Sequence, residues 1–379
     1  MAKMNRFFVD LHILQTVPPS CVNRDDSGSP KNARYGGTTR ARVSSQSWKH
    51  AMRKYFMQES SFETGVRTKL IVDLVRDEIL ALDPDRKPEE AQEMAKKALE
   101  YAGVEVKDPD KGSDVLFFMS RKQAKSLAEL SVQGVAVQDD KKKKQSKGDK
   151  ISNPYNAALR KDPAFDMVLF GRMVAMKKDK KELPSLNYDA AAQVAHAIST
   201  HTVHNEFDFF TADDDATEDN AGAHLGTVEY NSATLYRYAT VNVCELAANI
   251  GADDTAGIVR AFAEAFCKSM PTGKQNTFAN RTMPDLVYVT VRRDQPVNLV
   301  GAFEDPVREE GHGYLKKSED ALIRHAQNIY NKFASAPALA LGCCINDELG
   351  KIAELMPLDE LLDKLEQYVA ENLPAGGQA

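Results

Sequence analysis

One tryptophan and five cysteines are all that 379 residues hold of those two types, and no two cysteines are spaced as CxxC. An odd number of thiols without that spacing excludes a disulfide framework and a cysteine zinc site, and fits reduced thiols in the cytoplasm. No apolar run approaches the roughly 20 residues that span a bilayer. The start, MAKMNRFFVD, has no secretory pattern, so a cytoplasmic protein with no membrane partner is expected. Catalytic signatures are missing too: there is no HExxH, no adjacent His-Asp pair and no GxSxG. PTGKQNT (271–277) lacks the upstream glycine of a P-loop and the Ser or Thr after Lys274. His196, His201 and His204, with Glu206 and Asp213–Asp215 nearby, fit no zinc spacing. A metal-dependent nuclease or phosphohydrolase built on that histidine cluster is therefore the second reading. No catalytic residue, metal or cofactor is expected.

What is present is the composition of an ordinary globular protein with a formal charge of -6, so any binding of an anion must be local. Phe7–Leu14, Phe165–Phe170, Leu235–Val243 and Leu286–Val291 are apolar runs rich in β-branched and aromatic residues, and are predicted strands. Helical spacing appears at Ile258, Val259, Phe262 and Phe266, and again at Leu358, Leu361, Leu362, Leu365 and Val369. Four strands and these helices predict an α+β sandwich of the ferredoxin-like kind. Residues 63–163 turn mainly helical and charged and read as an inserted subdomain. Within them VQDDKKKKQSKGDK has no apolar periodicity, and five of its lysines fall within seven residues. A second polar insertion around TADDDATEDNAGAHLG reads as an exposed hairpin or loop.

The charge is concentrated in one place. From Arg24 to Lys54 there are eight Lys or Arg against Asp25 and Asp26, an excess of six in an acidic chain. In GGTTRARVSSQSWKHAMRKYF, Ser45 or Ser47 caps a helix, and Trp48, Ala51, Met52, Tyr55 and Phe56 form its buried face. Gln46, Lys49 and Arg53 form a separate stripe. A serine-rich helix start with free N–H groups suits phosphate, and Lys49 and Arg53 add charge along the path of a nucleic-acid backbone. On helix evidence alone a solvated basic face is the better explanation of the stripe, since most charge runs only face water. Arg24, Lys31, Arg40 and Arg42, gathered from loop and strand, favour an anion groove.

LHILQTVPPSCVNRDDSGSPKNARYGG, RVSSQSWKHAMRK, FGRM, HAISTHTVHNEFDFFTA and GAHLGTVEY follow in an order that resembles the CasC family, the backbone subunit of the type I-E CRISPR Cascade surveillance complex. The resemblance implies an RRM-like palm (1–62, 164–201 and 228–379), helical fingers (63–163) and a thumb loop (202–227). It implies a non-enzymatic protein whose partners are CRISPR RNA, target DNA, further copies of itself in a filament and other Cascade subunits. By matching position, Arg24, Lys31, Ser44, Gln46, Lys49 and Arg53 would line the RNA path. Met173 would wedge beside a displaced nucleotide, and Phe209 and Phe210 would contact bases from the thumb. Lys141, Lys142, Lys143 and Lys144 would attract duplex DNA. Holding RNA by its backbone leaves pairing to read sequence, the general logic of RNA-guided recognition.

Overall fold

The computed structural model describes residues 6–106, 116–135, 153–174, 183–212 and 224–374. In chain order their strands are β1 (Phe8–Ser20), β2 (Asn32–Tyr35), β3 (Thr38–Val43), β4 (Val66–Thr68), β5 (Phe117–Met119), β6 (Ala192–Val194), β7 (Ala197–Ser199), β8 (Glu206–Ala212), β9 (His224–Asn242), β10 (Leu286–Arg292), β11 (Leu339–Cys344) and β12 (Glu354–Leu355). The helices are α1 (Ser45–Glu59), α2 (Ile71–Leu82), α3 (Pro88–Tyr101), α4 (Arg121–Val132), α5 (Pro154–Ala158), α6 (Phe165–Phe170), α7 (Val243–Ile250), α8 (Ala252–Lys268), α9 (Gln275–Phe278), α10 (Leu315–Lys332) and α11 (Leu358–Asn372). They form two compact units, one of residues 1–60, 192–248 and 252–379, the other of residues 61–191 and 249–251.

The first unit is built on a largely antiparallel sheet with the strand path β12-β11-β10-β1-β9-β7-β3-β2, to which β6 and β8 add by pairing with β9. β1 lies at its centre, antiparallel to β10 (Phe8↔Arg292 through Leu14↔Leu286) and to β9 (Phe8↔Asn242 through Val17↔Ala233). Every residue from Val9 to Gln15 is buried, because both sheet faces are covered. One face sets Leu14, Tyr236 and Tyr288 against Leu322, Ile323 and Ala326 of α10 and against Phe303. On the other, Arg237 of β9 sits over the rings of Trp48 on α1 and Phe266 on α8, which places both helices there. The strand expected at Phe7–Leu14 is β1, the one at Leu235–Val243 is the C-terminal half of β9, and the one at Leu286–Val291 is β10. The two helices read from their apolar spacing are α8 and α11.

The second unit is mainly helical, as its sequence predicts. Ile71, Val75 and Ile79 of α2, Ala91, Ala95 and Ala98 of α3, and Leu127 and Ala128 of α4 share one core. The alanine stripe of α3 lets neighbouring helices approach closely. Ser120 starts α4 with a reciprocal capping box to Gln123. β4 and β5 form a two-stranded ribbon.

Phe165–Phe170 corrects the sequence reading: it is helix α6, not a strand. A six-residue apolar run buried on all sides has no periodicity to separate the two forms. Local partners decide it. Asp166 is fully buried and its carboxylate accepts from the Gly65 N–H (2.8 Å), while Gly171 ends the helix at φ +83°. Met167 and Ala164 pack with Phe118, and the rings of Phe62 and Phe165 lie 5.8 Å apart, so this segment belongs with the helical unit, which runs on to 191.

Candidate nucleic-acid interface

α1 starts within the serine-rich stretch, but neither Ser45 nor Ser47 is its cap, since the chain turns helical at Ser45 and the residue before it takes that place. Ser44 is its cap: the Ser44 hydroxyl accepts from the Ser47 N–H (3.3 Å) and is 6% exposed. Trp48, Ala51, Met52 and Phe56 are buried and Tyr55 is half-buried, its hydroxyl donating to Glu264 (3.1 Å). Gln46 is exposed, and Lys49 and Arg53 are half-buried on the same stripe. Burial pushes the Lys49 ammonium below its ordinary value.

The helix start corrects another expectation. The Ser44 N–H donates to Asn23 Oδ1 (2.9 Å), the Ser45 N–H to His196 Nδ1 (3.2 Å) and the Ser47 N–H to Ser44 Oγ. These three donors are already used inside the fold and are not free for a ligand. Asn23 also accepts the Lys31 N–H (2.8 Å) through its carbonyl, which ties the loop bearing Arg24 and Lys31 to the start of α1. Arg24 is exposed on that loop and Lys31 is half-buried.

Arg40 differs from its neighbours. It is fully buried, and its guanidinium donates to the carbonyls of Ser199 and Phe303 (both 2.9 Å) and to Thr38 Oγ1. It joins segments of the fold and adds no surface charge. Composition cannot separate such an arginine from one that faces a ligand.

The polar insertion after Thr202 is a hairpin. β8 pairs with β9 from Glu206↔Tyr230 to Ala212↔His224, and residues 213–223 lie outside the described ones. Strand alternation puts Phe207 and Phe209 on one face, 66% and 65% exposed. Phe210 lies on the other, its ring across Gly226, where a Cβ would come within 2.4 Å of it. The expected pair is thus split between two faces. Phe207, which sequence reading passes over, is the residue that shares a face with Phe209; its i, i+2 spacing is the available signal.

Met173 belongs to the helical unit and is 87% exposed. Arg172 beside it is the anchor: its guanidinium donates to the carbonyls of Leu186, Leu159 and Phe118 (2.8, 2.8 and 3.2 Å). Lys141–Lys144 lie outside the described residues. Among those described, no helix is long and apolar enough to cross a membrane.

The histidines do not assemble into a donor set. His201 Nδ1 donates to the Thr202 carbonyl (2.9 Å) and its Nε2 accepts from the Thr234 N–H (3.1 Å), so both ring nitrogens are committed. The ring stacks on Tyr314 at 3.6 Å. His196 Nδ1 is used by Ser45. Among the described residues no group of three or more His, Cys, Asp or Glu is placed to hold a metal ion.

A mixed α+β chain with a large, mostly antiparallel sheet, a basic helix laid on it and an aromatic hairpin has the fold of a CRISPR surveillance-complex subunit. The sequence model described as CT1975-like protein matches residues 9–369, and the chain belongs to that family. It is similar to a chain of a solved structure described as a CRISPR RNA-guided surveillance complex, pre-nicking, with 30% sequence identity and a TM-score of 0.79 over 96% of this chain and 100% of that one. A second, described as a CRISPR RNA-guided surveillance complex, has 27% identity and a TM-score of 0.60 over 95% of this chain and 99% of that one. Curated protein sequences give no match.

Proposed function

We propose that the chain is the guide-RNA-binding backbone subunit of a Cascade complex of the type I-E kind, that copies of it line up along one CRISPR RNA, and that it has no catalytic role. The carrying observation is the structural match to a surveillance-complex chain across 96% of this one. The sheet adds support. β10-β1-β9 continues into β6 and β7, with α1 between β1 and β6 and α8 between β9 and β10, which is the strand order of an RRM-like palm. The helical unit answers to fingers and the β8–β9 hairpin to a thumb.

In this reading Gln46, Lys49 and Arg53, with Arg24 and Lys31, hold the RNA backbone. Ser44 acts by fixing the helix start. Met173 wedges at the strand, the aromatic hairpin meets bases, and Lys141–Lys144 attract target DNA. The histidine nuclease is disfavoured because His201 has no nitrogen left to bind with. Lys49→Ala with Arg53→Ala removes two phosphate contacts per copy. The log–log salt dependence of binding to mixed-sequence single-stranded RNA should become shallower by about 1.4, evenly across sequences. Unchanged affinity and slope would remove α1 from the RNA path.

A further inference from the structure

A groove of about 740 Å³ lies on the other flank of α1. His50, Lys54 and Gln58 follow at four-residue spacing, roughly 100° round the helix from Lys49 and Arg53. These three line the groove, together with Arg24 from the loop after β1 and Arg281 from the segment between α8 and β10. Lys54, Arg24 and Arg281 are exposed. Asp25 also borders it, but Asp25 Oδ1 accepts from the Ser27 N–H, the Ser27 hydroxyl and the Ser29 N–H, all within 3.0 Å, which turns that carboxylate into its own loop. Asp26 is the second carboxylate, so the lining sets three cations against two carboxylates.

The walls are built rather than incidental. Ser269 lines the groove, is 5% exposed, and its hydroxyl has no hydrogen-bond partner. A buried hydroxyl of this kind costs free energy unless something binds it. Lys274 and Ala279 hold left-handed backbone at φ +50° and +47°, a strain that persists only where surroundings enforce it. A Cβ on Gly273 would lie 2.2 Å from the Val22 carbonyl oxygen, so only glycine seats this segment against the end of β1. Behind the wall, Arg237 donates to Gln15 Oε1 (2.7 Å) and to the Phe266 carbonyl, and Gln15 donates to the Thr282 carbonyl (2.7 Å). That chain holds both ends of the 269–281 segment. Among the described residues no carboxylate pairs with Arg237, and its Nε has no partner, so its buried charge adds positive potential behind the groove.

We propose that this groove is a second phosphate site, which receives a phosphodiester of the bound single-stranded RNA on the flank of α1 next to that of Gln46, Lys49 and Arg53. The inference rests on the RNA-binding reading of α1. Its volume lies within the range of ligand sites, about 300–1,000 Å³. A helix with its side chains is about 10 Å across, so one strand crossing α1 reaches both flanks. Arg281 supplies a fork of donors, Lys54 a point charge and Ser269 a hydroxyl, the donor types that bind a phosphate's several acceptor oxygens.

The test compares two double variants of the full chain, Lys54→Ala with Arg281→Ala and Lys49→Ala with Arg53→Ala, using a fluorescent mixed-sequence single-stranded RNA at several salt concentrations. Trp48 emission during unfolding checks that each variant is folded. Lys54→Glu repeats the groove test with one exposed charge reversed. The groove variant should bind about tenfold more weakly at low salt, with a slope shallower by about 1.4. Wild-type affinity and slope in the groove variant, with a loss in the Lys49 and Arg53 variant, would overturn this site and leave the proposed function standing. No change in either would overturn both. Binding of a poly-glutamate peptide that the groove variant loses, with RNA affinity unchanged, would overturn it in favour of an acidic protein partner.

Discussion

The sheet unit and the helical unit each bury an arginine without a carboxylate beside it, and they use it differently. In the helical unit, Arg172 is a hub: it donates to carbonyls of Leu186, Leu159 and Phe118 and to Gln123 Oε1, from segments 13 to 54 residues away in sequence. Short helices and a three-residue ribbon leave carbonyls at segment ends unpaired, and one guanidinium gathers them. In the sheet unit, ladders already pair the backbone. Arg237 lies between the rings of Trp48 and Phe266, 3.7 and 4.6 Å from their centroids, and keeps one nitrogen without a partner. The first arginine supplies hydrogen bonds that the fold lacks. The second fills space between rings and carries charge.

Replacing each arginine by methionine tests that difference, with the largest effect expected first. Arg172→Met removes the guanidinium donors to the Leu186 and Phe118 carbonyls and one of two to Leu159, which keeps Gln123 Nε2 (2.8 Å), at ~1–3 kcal/mol for each group left unsatisfied. About 3–5 kcal/mol of the helical unit's stability should be lost. Arg237→Met keeps the space between the rings filled but removes the donors to Gln15 Oε1 and the Phe266 carbonyl, and should cost about 2–3 kcal/mol. The chain's single tryptophan, Trp48, belongs to the sheet unit, so its emission follows that unit while far-ultraviolet circular dichroism follows both. In urea, Arg172→Met should bring part of the dichroism loss forward and leave the Trp48 transition near wild type. Arg237→Met should move the Trp48 transition. Coincident shifts of both signals in Arg172→Met would show that the units unfold together.

A smaller effect separates two groups at the centre of β1. Burial pushes the Asp10 carboxyl up to about 6, against bonds from Tyr238 and the Val297 N–H that favour its charged form. Burial pushes His12 down to about 3, helped by the charge of Arg292. The signs are opposite. The raised Asp10 contributes stability present below its unfolded value, near 4, and lost as pH rises through about 6. The depressed His12 contributes stability present above about 6.5 and lost as pH falls toward about 3. Between pH 4 and 6 the two trends offset. Asp10→Asn should therefore make stability rise with pH more steeply than wild type, by about 1 kcal/mol per pH unit, and His12→Phe should tilt it the other way. Urea midpoints by Trp48 emission at pH 4, 5 and 6 measure both slopes. Curves parallel to wild type would mean that neither group titrates with folding in this window.

Much of this layout is legible in the sequence. Central strands fully buried on both faces announce themselves as continuous apolar runs, and β1 and β10 are found that way. β6 and β7 escape notice because three-residue strands carry no periodicity, yet they supply the pairing with β9 for which the apolar run Phe165–Phe170 is the candidate by composition. The stripe on α1 follows from helical spacing, but the commitment of its first N–H groups to Asn23 and His196 depends on residues 21 and 151 positions away. Arg40 groups with the surface cations in a reading by charge, because charge alone does not record burial. The groove behind Lys54 needs the 269–281 segment, and nothing local in the sequence brings Ser269 and Arg281 beside α1.

The smallest effect on stability is expected at the hairpin, where the consequence for assembly should be large. Phe207 and Phe209 are mostly exposed on one face of β8, and exposed apolar rings contribute little to folding. Phe207→Ser with Phe209→Ser should leave both unfolding signals within about 0.5 kcal/mol of wild type. Phe210 is a different case, because its ring covers Gly226 on the paired strand and shields a stretch of β9 with no side chain. Phe210→Ala should loosen the hairpin itself. If the exposed face meets bases, each ring lost removes ~1–3 kcal/mol of stacking. Sedimentation of the chain with guide RNA should then show fewer copies per RNA for the double variant at equal concentration. Full assembly by the double variant, together with failure by Phe210→Ala, would move the base-contacting surface to the opposite face of the hairpin.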